Sequence, residues 1–245
     1  LEFFEACLSS SKEFLNEIKR YSPEELTTRY GIGEGGDISL KADLLSEEIF
    51  AKTLGGFGRI YSEESGYIGE GDATIYLDPL DGSDNFAARI PYYGVSACLV
   101  EADGSKKSFI LNFANGDIFY KENEPLFANL YKDNSLRVCA KTAASKSAIF
   151  EKAHSNPKIA NALFKKNIKF RSLGALALSL VYSQNALFTL FIGEPRVFDI
   201  IAALHFLDGA YIFNANGILL TAQNKDIFEE VLEIVTSIEG GQNVL

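Results

Sequence analysis

Asp78-Pro79-Leu80-Asp81-Gly82-Ser83-Asp84-Asn85-Phe86 is the stretch on which the reading of this chain turns. The run before it, Ala73-Thr74-Ile75-Tyr76-Leu77, alternates Ile75 and Leu77 with Tyr76 and reads as a short strand. Pro79 cannot donate to a sheet ladder, so the strand is expected to stop at Asp78. Asp78 and Asp81 then stand three residues apart on a tight turn, and Gly82 supplies a position free of side-chain clash. Ser83 reads as the cap of a following helix, its hydroxyl and the free N–H groups facing an anion. Two carboxylates beside such a turn suit a hard cation and a phosphate held together.

Asp, Pro, Gly and Asn are also ordinary turn residues, so the spacing alone leaves a purely structural turn open. The whole nonapeptide, however, resembles the Asp-Pro-(Ile/Leu)-Asp-Gly-(Thr/Ser) signature of the inositol monophosphatase family. The superfamily of that family includes fructose-1,6-bisphosphatases and 3'-phosphoadenosine phosphatases. Three further segments extend the resemblance from Asp43 to about Gly217. Asp43 opens the apolar-periodic run Leu44, Leu45, Ile49, Phe50, Leu54 and by itself reads as a helix cap. The family carries an Asp here that pairs with the hydroxyl of the Asp-Gly-Thr/Ser turn, which implies that Asp43 and Ser83 together activate a water. Glu63-Glu64 ends the strand Gly58–Ser62, fifteen positions before Asp78. Adjacent acids repel and a shared cation relieves them. The family's Glu-Glu lies about twenty residues ahead of its turn. Asp199, preceded by Phe198, opens the last apolar helix, where the family places its final metal acid.

The resemblance implies a two- or three-ion Mg²⁺ site made by Glu63, Glu64, Asp78, the Leu80 carbonyl, Asp81 and Asp199, with Glu63 also competing as base. It implies phosphate and substrate contacts from Asp81, Gly82, Ser83, Gly174, Ala175, Arg171 and Arg196. Arg171 reads equally well as a surface ion-pairing residue. The zone Phe191–Arg196 carries Glu194 out of line with the acid that reads sugar hydroxyls in inositol-cleaving members. A small polyol or sugar phosphate is the preferred substrate, with fructose 1,6-bisphosphate and 3'-phosphoadenosine phosphate open. A regulatory binding protein of the transcription machinery is the non-enzymatic alternative.

The 245 residues, 47% apolar and 23% charged, suit a soluble globular enzyme with a large core. A net charge of −10 argues against nucleic-acid binding. No apolar run is long enough to span a bilayer, and Leu1-Glu2-Phe3-Phe4-Glu5 lacks the basic start of a signal peptide, so a cytoplasmic location is expected. Cys7, Cys98 and Cys139 have no metal-ligand spacing and read as buried thiols of a reducing compartment. The chain contains no Met.

The glycine-rich segment Gly31–Gly36 is no nucleotide loop, because no strand precedes it and no Lys-Ser/Thr closes it. It reads as a surface loop, and the resemblance makes it a hairpin or lid near the metals. Periodicity predicts a helix in residues 1–20, a hairpin around Ala114-Asn115-Gly116, a strand at Arg137–Lys141 and a helix over Ile149–Phe164. A strand at 168–170, a helix at 176–182, a strand at 185–191 and a last helix at 227–238 follow. His154 is expected to be exposed, and His205 to be a core or interface residue rather than a ligand. The pattern gives a mixed α/β (α+β) chain in two halves, 1–141 and 142–245, forming one unit. The resemblance implies a layered α-β-α-β-α sandwich and a homodimer.

Overall fold

The structure is a computed structural model that describes residues 2–138, 145–207 and 209–240. A two-stranded hairpin, β1 (Arg29–Ile32) and β2 (Ile38–Leu40), precedes two larger sheets. The first sheet holds β3 (Arg59–Ser62), β4 (Gly66–Ile68), β5 (Thr74–Asp81), β6 (Gly94–Val100), β7 (Lys106–Asn112), β8 (Asp117–Lys121), β9 (Pro125–Asn129) and β10 (Asp133–Val138). Its order is β10-β9-β8-β7-β6-β5-β3-β4, antiparallel except where β3 runs parallel to β5. The second sheet has the order β12-β11-β13-β15-β14, from β11 (Ser147–Glu151), β12 (Lys169–Arg171), β13 (Thr189–Ile192), β14 (Tyr211–Ala215) and β15 (Ile218–Ala222).

Helices separate and cover these sheets. They are α1 (Glu2–Glu17), α2 (Pro23–Leu26), α3 (Lys41–Leu54), α4 (Ser83–Ala87), α5 (Pro157–Lys165), α6 (Leu176–Val181), α7 (Val197–Phe206) and α8 (Lys225–Gly240). On the outer face of the large sheet, α1 and α3 bury Phe4, Phe14 and Phe50 against Ile75, Leu77 and Phe109. Between the sheets, Leu178 of α6 and Phe206 of α7 pack with Phe119 of β8 and Leu219 of β15. Beyond the small sheet, Leu163 of α5 and Val235 of α8 cover Phe150, Leu190 and Leu220. The result is the expected α-β-α-β-α sandwich. Strand period 2 explains how one strand feeds two layers: Ile75 and Leu77 enter the outer core, while Tyr76 between them faces the inner one. Each buried Phe contributes roughly 1.5–3 kcal/mol of transfer free energy.

Four sequence expectations are corrected or redrawn by the structure. The strand before Pro79 does not stop at Asp78: β5 runs on to Asp81, with a register break against β6 between those two residues. A proline is tolerated at such a bulge because the ladder hydrogen bond is already missing there. Ile149–Phe164 is not one helix. Ser147–Glu151 is a strand paired in parallel with β12 and β13, and the helix starts only at Pro157. A strand between two neighbours is buried on both faces and reads as an unbroken apolar run, which mimics a helix segment. The expected strand at Arg137–Lys141 is the end of β10, which starts at Asp133; residues 139–141 lie outside the described residues, as does Cys139. The segment Gly31–Gly36 is not a free loop: Gly31 and Ile32 end β1 and 33–36 lie in the turn of the β1–β2 hairpin, the hairpin that the resemblance implied.

Candidate active site

The parallel pairing of β3 with β5 decides where the acids meet. The Glu63 amide continues that ladder by donating to Leu77 O at 3.0 Å, which sets Glu63 beside Asp78. Asp78 is held at the bulge by accepting the Leu80 amide at 3.0 Å, and Ser46 of α3 fixes the same turn by donating to Pro79 O at 2.7 Å. Asp199 comes from the first turn of α7, tied to the large sheet by Ser96 Oγ donating to Phe198 O. The outcome is a buried triad: one carboxylate oxygen each from Glu63, Asp78 and Asp199 lies within 4.8 Å of the other two.

The triad faces a cavity of about 770 Å³ that is also lined by Asp43, Leu80, Asp81, Gly82, Ser83, Gly174 and Ala175. Gly82 has φ +85°, and a Cβ there would come within 3.0 Å of both Ala175 Cβ and Tyr92 O. Only glycine lets the turn lie against the 173–175 segment. Asp81 points its Oδ2 at the Leu178 amide of α6, 3.0 Å away, and does not join the triad. Glu64 turns from the triad and accepts the Ser39 hydroxyl of the hairpin.

Asp43 departs from its expected pairing. Its Oδ2 accepts the Leu40 amide at 2.6 Å, bridging back over the first turn of α3. Its Oδ1 is buried with no hydrogen-bond partner, and Ser83 Oγ does not reach it. Ser83 does not cap its helix: Gly82 occupies the cap position in a left-handed conformation, and Ser83 is the first helical residue. The reason is steric, since the turn needs a positive φ at the cap, which serine resists. Gly174 also differs from expectation. Its amide donates to both oxygens of Glu151, at 3.2 and 3.0 Å, and so turns from the cavity it lines.

The two arginines separate. Arg171 is exposed on an edge strand, its guanidinium donating to the Phe170 carbonyl, and it does not line the cavity. Arg196 lines the cavity from among the clustered acids. Its Nε and Nη2 grip both oxygens of Asp199 at 3.0 and 3.2 Å, and its Nη1 lies 2.5 Å from Glu63 Oε1 and 2.9 Å from Asp37 Oδ2.

Burial dominates the electrostatics. Desolvation and then the neighbouring Glu63, Asp81 and Asp199 charges push Asp78 well above the usual carboxylate range. Burial raises Glu63 to about 7 against the pull of Arg196, and raises Asp81 to about 8 against the Leu178 amide. Asp43 is raised to about 8, chiefly by burial, with Glu64 and Glu63 adding to it. Buried acids held this way attract a proton or a cation. The donor set is all oxygen, it has an orphaned buried acceptor, and a guanidinium already sits between two of its acids. It therefore fits a hard divalent cation.

Glu151 and Asp37 escaped the sequence reading. Glu151 ends β11 and is buried, accepting the Leu173 and Gly174 amides and, at 2.5 Å, the Ser179 hydroxyl. No local signal marks it, because it falls inside the stretch Ile149–Phe164 that reads as a helix. His154 is exposed, and His205 sits within α7 against Ser108, outside the acid site, as read.

An acid-lined cavity between two sheets, with a cation place at the open end of a bulged strand, defines a site of the kind metal-dependent phosphatases use. The family model for the inositol monophosphatase family matches residues 2–235, and the chain belongs to that family. A protein of Archaeoglobus fulgidus named fructose-1,6-bisphosphatase/inositol-1-monophosphatase is 32% identical over 130 residues, covering 50% of this chain and 52% of that one. The match thus spans about half the length of that relative. A Thermococcus kodakarensis protein of the same name is 28% identical over 181 residues, covering 73% and 68%. The crystal structure of the extragenic suppressor protein suhB from Bartonella henselae covers 95% of this chain and 96% of that one, with a TM-score of 0.74 at 17% identity. At that identity the likeness speaks for the fold alone. Among the described residues, no helix is long and apolar enough to cross a membrane.

Proposed function

We propose that this chain is a Mg²⁺-dependent phosphatase that hydrolyses a phosphate monoester of a small sugar or polyol. The observation that carries the reading is the convergence of the Glu63, Asp78 and Asp199 carboxylates on one cation place at the wall of the cavity. Those three would hold the first ion, and Asp81, the Leu80 carbonyl and Glu64 would serve the second and third. Bound Mg²⁺ supplies positive charge for the phosphoryl oxygens and a more acidic water.

The chain's own groups do the rest. Asp43 and Ser83 both line the cavity, and in this scheme Asp43 takes up the proton of the attacking water through the Ser83 hydroxyl that orients it. Glu63 competes as the base. The backbone amides of Gly82 and Ser83, opening α4, hold the phosphate, and Ala175 bounds the substrate's carbon frame. No thiol lines the cavity among the described residues, and the scheme needs no covalent intermediate.

The relatives' names carry both inositol 1-phosphate and fructose 1,6-bisphosphate, so these head the substrate panel. The test is phosphate release from both, and from glycerol 2-phosphate and 3'-phosphoadenosine 5'-phosphate, with and without Mg²⁺. Release that needs Mg²⁺ and vanishes in Asp81→Asn is expected, and the fastest substrate names the branch. Absence of release from all four by folded, metal-bound protein sinks the reading. A cytoplasmic location agrees with the free, buried Cys7 and Cys98, and the family resemblance supports a homodimer.

A further inference from the structure

We infer that Ser46 and Glu47, neighbours on α3, are positioning residues that together set the separation of the Glu63 and Asp78 carboxylates. The sheet does not do this alone. The β3–β5 ladder pairs Ser62 with Leu77 and ends where the Glu63 amide donates to Leu77 O. Beyond that point β3 has ended and β5 breaks register against β6. Among the described residues, no further backbone hydrogen bond joins the two acid-bearing stretches. There α3 takes over. Its Phe50 and Leu54 are fully buried and anchor the helix in the outer core. Toward its start the same side of the helix, at helical spacing, presents Asp43, Ser46 and Glu47.

Ser46 acts through one rigid plane. Its hydroxyl donates to Pro79 O at 2.7 Å, and the N–H of that same peptide is the Leu80 amide, which donates to Asp78 Oδ1 at 3.0 Å. A peptide is planar, so holding its oxygen aims its N–H, and that N–H holds Asp78. Glu47 acts on the other stretch. Its carboxylate accepts the Ser65 amide at 3.0 Å and also the Ser65 hydroxyl, which fixes the chain directly after Glu63 and Glu64. Ser46 is fully buried and Glu47 nearly so, and neither lines the cavity. Both therefore act on a bound cation only through the acids. The assignment rests on the reading of Glu63, Asp78 and Asp199 as a cation site.

The test is calorimetric titration of the metal-free protein with Mg²⁺ and with Ca²⁺, for the wild type, Ser46→Ala, Glu47→Gln and the double variant. Mg²⁺ demands near-ideal octahedral placement of its ligands, whereas Ca²⁺ accepts flexible geometry. Misplaced acids therefore weaken Mg²⁺ more than Ca²⁺, while loss of charge or of folded protein weakens both alike. Ser46→Ala alters no charge and is expected to bind Mg²⁺ about tenfold more weakly and Ca²⁺ only about twofold. Glu47→Gln should shift the ratio in the same sense. Both residues set one separation, so freeing either end releases it. The double variant should bind about as weakly as the weaker single variant, well short of the product of the two losses. Ser11→Ala, which loses a buried hydroxyl bond to Cys7 O of the same 2.7 Å length, should keep wild-type affinities. Glu48→Gln removes a charge from the next, exposed position of α3 and should leave the ratio unchanged.

A wild-type Mg²⁺-to-Ca²⁺ ratio in Ser46→Ala, or losses that multiply in the double variant, would each overturn the inference. Ser46→Ala decides the matter even where Glu47→Gln fails to fold. The two readings separate cleanly. A shifted ratio with no phosphate release refutes the phosphatase and leaves the positioning role. Phosphate release by the wild type, with the ratio unchanged in Ser46→Ala, does the reverse.

Discussion

Two sets of buried acids line one cavity and behave differently. Glu151 is surrounded by donors: two backbone amides and the Ser179 hydroxyl converge on it. Glu63, Asp78 and Asp199 are surrounded by one another, and among the described residues the cation paired with them is the guanidinium on the flexible arm of Arg196. Both sets are largely hidden from solvent, so burial does not tell a structural acid from a reactive one. The supply of N–H and O–H donors does. Where the backbone satisfies the carboxylate, the acid holds the fold. Where it does not, the acid is left wanting a cation.

The largest effect should come from breaking the triad. Asp78→Asn keeps the shape and removes one charge from a site that repels itself. Phosphate release is expected to fall by on the order of 10³-fold, the scale of several kcal/mol of lost charge stabilisation in the reaction. The metal-free protein should melt no lower than the wild type, because the lost charge was an unfavourable one. A steep drop in the melting temperature of metal-free Asp78→Asn would mean that the triad is structural, like Glu151.

Glu151→Ala should give the mirror image. It leaves the Leu173 and Gly174 amides and the Ser179 hydroxyl without their acceptor, at roughly 1–3 kcal/mol for each donor that water fails to reach. A loss of about 3 kcal/mol in denaturant melts is expected, together with a raised KM, since these donors position the wall that carries Gly174 and Ala175. Cation affinity should change little. A Glu151→Ala protein with wild-type stability would remove the contrast between the two sets.

The sequence made the triad legible because its members are short-range features. An acid at a strand end, an acid at a bulge and an acid in a first helical turn can each be seen locally, and the resemblance tied them together. The strand Ser147–Glu151 was not legible, because burial on both faces erases the period-2 signal, and Glu151 was lost with it. Nor could the sequence locate Arg196. Its three positions of separation from Asp199 are ordinary helix-start spacing, and its other partners lie in the hairpin and at the end of β3. The Asp43–Ser83 pair failed for a related reason. Helix-start spacing lets Asp43 reach the Leu40 amide, and that nearby donor fixes the carboxylate through Oδ2 and leaves Oδ1 buried where Ser83 does not reach it.

The smallest of these effects needs no mutation. Burial raises Asp43 and Asp81 to about 8 and Glu63 to about 7 in the folded chain, far above the values that carboxylates hold when unfolded. The folded state therefore binds protons more tightly than the unfolded one across this range. For a group of this kind the stabilising contribution is complete below the unfolded pKa and is lost as pH rises through the folded value. The melting temperature of the metal-free protein should thus be highest near the acid side of this window and fall steadily from about pH 5 to about pH 8. Saturating Mg²⁺ supplies the missing positive charge and should flatten that slope, most of all above pH 7. A flat or rising metal-free profile would mean that these carboxylates are already balanced by groups around them. The comparison between the two sets of acids would then lose its physical basis.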